Sequence, residues 1–237
     1  MSRCAAFTMV HDERYHLPQW IAYYSQHIDA EDLYILDHQS TDPATVAALE
    51  AFNGNVIPVT NDVVFDHEWL LQTVQSTQAR LLEDYNYVLY TDTDELVIPA
   101  NGTLRDFIAH ADQPAYRCTG YELIHDQMHH SEMYNKTLLA AHPLRWNYGY
   151  HSSDPAYPAN GDLFLYHLHR MDFDEAWAKN MRLAQKQWDA TAITYGFSIQ
   201  NQHTDIERFK QWFYDTGGRP LEPLHERLTA ALANIPK

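Results

Sequence analysis

Cysteine is nearly absent from this 237-residue sequence: Cys4 and Cys118 stand alone. Two thiols so far apart build no disulfide framework, and the expected compartment is a reducing one, the cytoplasm. Basic residues are scarce as well. Lys and Arg number 16 against 32 Asp and Glu, a formal net charge of −16. That balance excludes nucleic-acid duplexes and anionic membrane surfaces as main partners, because both need a basic face. It leaves room for a nucleotide, since a divalent cation can reverse the local field. No window approaches the ~20 apolar residues of a membrane span. The apolar run in MSRCAAFTMVHDE is too short for a signal peptide.

What is present describes a globular protein, with 45% hydrophobic and 13% aromatic residues. Through the first ninety or so residues, short apolar runs alternate with helical patterns. CAAFTMV (4–10), DLYILD (32–37), NVIPVT (55–60) and YVLY (87–90) read as buried strands. Between them, LPQWIAYYSQHI (17–28), a segment opening at Asp42-Pro43, and HEWLLQTVQSTQARLLEDY (67–85) carry helical spacing. This order predicts an α/β fold with a mostly parallel central sheet flanked by helices. After residue 113, AYRCTGYELIH, MYNKTLLAA and DLFLYHLH read as strands without intervening helices, so the C-terminal half should form a mixed sheet. A helix follows over DFDEAWAKNMRLAQKQW, and residues 147–162 read as a long loop. The expected organisation is one domain. It has a nucleotide-binding half over 1–112, an acceptor-side half over 113–190 and a helical segment over 191–237.

The densest chemical signal is TDTDE (91–95), which places three carboxylates in four positions directly after a strand. Like charges this close repel and call for a cation. At the end of a strand the chain turns, so Asp92 and Asp94 can both reach one hard ion such as Mn²⁺ or Mg²⁺. In parallel sheets ligands bind beyond the carboxyl ends of the strands. VHDE after the first strand and DHQSTD after the second should open onto the same crevice. A solvated acidic turn is the plain alternative.

FTMVHDERYHLPQWIAYYSQHIDAEDLYILDHQSTD resembles the opening of family-2-like glycosyltransferases of the GT-A fold, and YVLYTDTDELV resembles their Asp-x-Asp-Glu metal motif. YNKTLLAAHPLRW and LFLYHLHRMDFDEAW are similar to later segments of bacterial members. The resemblance implies a GT-A-like fold and transfer of a sugar from a UDP- or GDP-linked donor to a glycan or lipid-linked glycan, as in polysaccharide biosynthesis. It places Asp12, Glu13, Asp37 and Asp92 at the donor nucleotide. Asp92, Asp94 and His167 would hold the metal, with His169 second. His11-Asp12 and His38-Gln39 depart from the family's pattern, the latter at a turn that often carries glycine.

The chemistry requires charge stabilisation on the leaving diphosphate, for which Lys136 or Arg145 is a candidate. If configuration inverts, a base must take the acceptor's proton. Asp162, Glu122, Asp126, Asp154 and His151 are candidates, with Asp162 beside the loop the first choice and Glu122 the second. Three other readings compete. In a haloacid-dehalogenase-like phosphatase Asp92 would be the nucleophile, but that motif normally follows the first strand of its core. A sugar-1-phosphate nucleotidyltransferase should carry a glycine-rich loop where FTMVHDERYH has no glycine. A non-catalytic sugar- or nucleotide-binding protein would keep the fold without turnover.

Overall fold

The computed structural model describes residues 2–195 and 203–236. In chain order the first half runs β1 (Cys4–Val10), α1 (His16–Tyr24), β2 (Leu33–His38), α2 (Pro43–Ala51), β3 (Asn55–Val59), α3 (His67–Leu81) and β4 (Tyr87–Tyr90). The strands lie in the order β3-β2-β1-β4, all parallel. The chain steps outward from β1 to β3 and then returns to the other side of β1. The crevice beyond the ends of β1 and β4 is therefore the switch point of the sheet.

The second half contains β5 (Glu95–Pro99), α4 (Leu104–Ala109), β6 (Ala115–Ile124), β7 (Gln127–His130), β8 (Thr137–Ala140), β9 (Arg145–Trp146), β10 (Ser153–Asp154) and β11 (Ala159–Arg170). α5 (Phe173–Leu183), α6 (Ala190–Tyr195), α7 (Ile206–Tyr214), β12 (Glu222–Pro223) and α8 (Glu226–Leu232) follow. Here β8 joins β4 antiparallel, β6 joins β8 antiparallel, and β11 lies between β6 and β5, parallel to the first and antiparallel to the second. The result is the expected α/β architecture, mostly parallel at its centre and mixed in its later half.

Local chemistry sets the helix starts. Asp42, Asp66 and Asp172 accept amide hydrogen bonds from Thr45, Trp69 and Glu175, and Thr103 with Asp106 forms a capping box. Each such cap stabilises its helix by about 1 kcal/mol. α1 is tied to the sheet by its aromatic face. Trp20 Nε1 donates to Thr91 Oγ1 (2.8 Å), Tyr23 Oη to the Val97 carbonyl (2.7 Å) and Tyr24 Oη to the Glu95 carbonyl (3.1 Å). These bonds fix both flanks of the TDTDE segment while the rings fill the core.

Several boundaries differ from the sequence expectation, and the helices expected over 67–85 and 172–188 end at Leu81 and Leu183. α1 ends at Tyr24, although the Ile28 amide still bonds the Tyr24 carbonyl (2.9 Å) and Ile28 is buried. ELVIP, directly after the acidic cluster, is a fully buried strand that pairs with β11. Residues 147–162 are not one long loop, because Ser153 and Asp154 pair with Trp146 and Arg145 and β11 begins at Ala159. Among the described residues no helix is long and apolar enough to cross a membrane.

Candidate active site

A cavity of about 470 Å³ opens beyond the ends of β1, β4 and β11. The backbone at its rim is unusual. Asp12 after β1 has φ 52°, Gln39 after β2 has φ 56°, and Tyr150 has φ 61°. Side-chain-bearing residues seldom occupy this left-handed region, and such strain clusters at functional sites. At Gln39 the conformation explains why glycine suits that turn.

The acidic cluster points its members at different cations. Lys136 Nζ lies 2.6 Å from Glu95 Oε1 and 3.1 Å from Asp92 Oδ2, while Tyr90 Oη donates to Asp92 Oδ1 (2.8 Å). Burial alone would neutralise Lys136, but Glu95 and then Asp92 outweigh it and keep the ammonium charged. Asp94 faces the other way. Lys179 Nζ is 3.0 Å from its Oδ2, His167 Nε2 is 3.6 Å from Oδ1, and His169 Nδ1 is 3.6 Å from Oδ2. Burial opposes the charge of Asp94, yet Lys179 and then His167 hold its carboxyl well below the usual range. Glu13 receives Lys179 at 2.6 Å and His16 at 3.3 Å.

The two histidines alternate on β11 and so share a face. Their protonation differs. Burial lowers His167, but Glu122, 3.1 Å from Nδ1, and Asp94 together raise it to about 9. Burial and the Lys179 charge push His169 down to about 3. Tyr134 stacks on His167, with centroids 4.5 Å apart at 25°. That stack needs Gly120, since a Cβ there would come within 2.2 Å of the Tyr134 backbone.

Asp94, His167 and His169 each offer a ligand atom, all within 4.8 Å of one another. His169 Nε2 is buried without a hydrogen-bond partner. This set of one carboxylate and two imidazoles fits a divalent ion. Imidazole nitrogen suits transition ions, whereas Mg²⁺ favours oxygen.

The opposite wall is aromatic. Phe65 stacks on Trp188 (4.3 Å, 20°) and His38 lies against Trp69 (4.7 Å). Flat apolar faces of this kind suit a ring ligand.

Of the residues singled out in the sequence, Glu13, Asp92, Asp94, Lys136 and His167 line the cavity together, and His169 joins them. Glu122 stands behind His167, also paired with Arg170 at 3.3 Å. Burial is outweighed by His167, so its carboxyl sits at about 2, low for a general base. Asp12 braces the crevice. Its Oδ1 accepts from the Thr41 and Asp42 amides (2.6 and 2.7 Å) and its Oδ2 from Lys186 (2.8 Å). Asp37 accepts the Ser40 amide within the β2–α2 turn (3.0 Å), and Asp42 caps α2. The structure does not bring Asp162 to the cavity. It is exposed, beside Asn160, five residues before His167 on β11, roughly 17 Å away at strand spacing. Arg145 is exposed and paired with Asp154, and Trp146 is buried with its indole donating to the Thr137 carbonyl.

Lys179 and Lys186 also reach the site, paired with Asp94 and Asp12. A signal for Lys179 exists: it lies three residues after Ala176 and four before Leu183, within the buried stripe of α5. A lysine on an apolar stripe is a buried charge in search of a carboxylate.

No protein-family model matches this chain, and no curated protein does. Solved structures show partial likenesses. Glucosyl-3-phosphoglycerate synthase from Mycobacterium tuberculosis, in complex with Mn²⁺, UDP-glucose and phosphoglyceric acid, is 20% identical over 40% of this chain and 34% of its own, with a TM-score of 0.28. The match thus spans about a third of that enzyme's length. Galactosyltransferase LgtC, in complex with donor and acceptor sugar analogs, is 16% identical over 50% of this chain and 46% of its own (TM-score 0.26). A putative glucose-1-phosphate thymidylyltransferase from Bacillus anthracis is 11% identical over 97% and 94% (TM-score 0.35).

Proposed function

We propose that this protein transfers a sugar from a nucleotide-diphosphate donor, UDP- or GDP-linked, to a hydroxyl of a glycan or lipid-linked glycan. The observation that carries the reading is the cavity at the switch point. On one side stand an Asp94–His167–His169 donor set, the buried Lys136 and the half-buried Lys179, and on the other an aromatic wall. Such a site accepts a flat base at one end and a polyanion at the other.

Asp94, His167 and His169 would hold the divalent ion, and Mn²⁺ fits the imidazoles better than Mg²⁺. Bound there, the ion would supply Lewis-acid stabilisation of the departing diphosphate. Lys136, held charged by Glu95, contributes a fixed positive potential at the same wall and needs no reorganisation as charge develops. Glu122 orients His167 through Nδ1, leaving Nε2 toward Asp94. Phe65 and His38 form the face against which the base lies. In this reading residues 1–112 carry the donor's nucleotide, and residues 113–190 complete the charge site and the acceptor side.

Calorimetric titration of UDP, GDP, CDP and dTDP, with and without Mn²⁺, tests the proposal on the wild type and on Asp94→Ala. Mn²⁺-dependent binding of one nucleotide, lost in the variant, is the expected outcome. Failure of every nucleotide to bind would overturn it and return Asp92 to consideration as a phosphatase nucleophile.

A further inference from the structure

Lys179 already serves as a cation for Asp94. Its Nζ lies 3.0 Å from Asp94 Oδ2, the same oxygen that His169 Nδ1 approaches at 3.6 Å. A second anchor, Glu13 Oε2, holds the ammonium at 2.6 Å. Both carboxylates are buried, so solvent screens the pair little. His169 is 6% exposed, its Nε2 has no partner, and its ring lines the cavity. An ion entering the Asp94–His167–His169 set therefore meets a full positive charge on one of the two carboxylate oxygens open to it.

We infer that Lys179 and the divalent ion compete for Asp94 Oδ2, so that Lys179 is a positioning residue that sets the affinity of the site. When the ion binds, the ammonium keeps Glu13 and turns its freed N–H groups toward the cavity. The anchor at Glu13 makes this exchange short-range: Lys179 yields one partner without leaving the site. The inference rests on the reading of Asp94, His167 and His169 as an ion site.

Mn²⁺ alone, titrated into nucleotide-free protein and followed by the paramagnetic resonance signal of the free ion, tests it. Lys179→Met should bind Mn²⁺ roughly 5- to 150-fold more tightly than the wild type, the span of ordinary coupling between sites. Lys179→Arg, which keeps the charge, should stay near wild type. Lys186→Met removes a lysine paired with Asp12 instead and should also stay near wild type. Unchanged or weaker binding by Lys179→Met overturns the competition while wild-type binding leaves the ion site standing. Should Lys179→Met fail to fold, Glu13→Gln carries the test. With its second anchor neutral the ammonium is left to Asp94, and Mn²⁺ affinity falls; an unchanged affinity overturns the inference. Absence of Mn²⁺ binding in the wild type and every variant removes both the competition and the ion site beneath it.

Discussion

Glu122 and His16 apart, the carboxylates and the cations of this site come from opposite ends of the chain. Asp12, Glu13, Asp92, Asp94 and Glu95 all precede residue 96, whereas Lys136, His167, His169, Lys179 and Lys186 all follow residue 135. The pairs close over 41 residues for Glu95–Lys136, 85 for Asp94–Lys179 and 174 for Asp12–Lys186. Without the later lysines the early carboxylates would form a buried cluster of like charge, and without Glu95 and Asp92 the buried Lys136 ammonium would stand unpaired. Most of the site's charge pairs close between segments far apart in sequence, which makes the site a product of the whole fold.

Breaking this complementarity at Lys136 should have the largest effect. Lys136→Met leaves Glu95 and Asp92 without their buried partner and should cost about 3–5 kcal/mol in urea denaturation. Adding Glu95→Gln to that variant should restore part of the loss, because the stranded charge is then gone. A smaller effect is expected where the later half tunes rather than neutralises. Glu122→Gln keeps the shape but removes the charge at His167 Nδ1, and Mn²⁺ affinity should fall roughly 10- to 100-fold in calorimetric titration.

The Asp12–Lys186 bridge offers a pH readout. Burial raises the Asp12 carboxyl, but Lys186 and the Asp42 and Thr41 amides overcome it and hold the group at about 2, below its ordinary 3.8. A depressed carboxylate stabilises the fold fully above its unfolded value and loses that contribution as pH falls through the folded one. Wild-type stability from this source should therefore be complete above about pH 4 and fade toward pH 2. Asp12→Asn should lack that part of the slope in denaturation series across the window. The smallest effects belong to residues outside the complementary set. Asp162→Asn and Arg145→Ala, both exposed, should shift neither the melting temperature nor nucleotide affinity measurably.

The sequence made the parallel half readable because its strands are short apolar runs and its helices carry a clear period. It also placed the acidic cluster at a strand end, and His167 and His169 on one face. The same reasoning passed over β5. ELVIP overlaps TDTDE at Glu95, so nothing local separates a strand from the tail of a turn, and its only ladder partner among the described residues arrives with β11. Lys136 and Lys179 pose the same problem in charge: their roles depend on carboxylates far away in the chain. Asp162 stands out through its neighbours in sequence, but β11 crosses the sheet between β5 and β6 and carries it to the other end from His167.

β11 also governs the order in which the chain can be finished. It is laid between β5 and β6, strands that emerge from synthesis some forty to seventy residues earlier. Until residues 163–167 appear, the buried strand Leu96-Val97-Ile98 has, among the described residues, no strand paired to it, leaving an apolar edge open to other chains. A nascent chain halted before Ala159 is thus a sticky, incomplete sheet, and closure awaits the strand that carries His167 and His169.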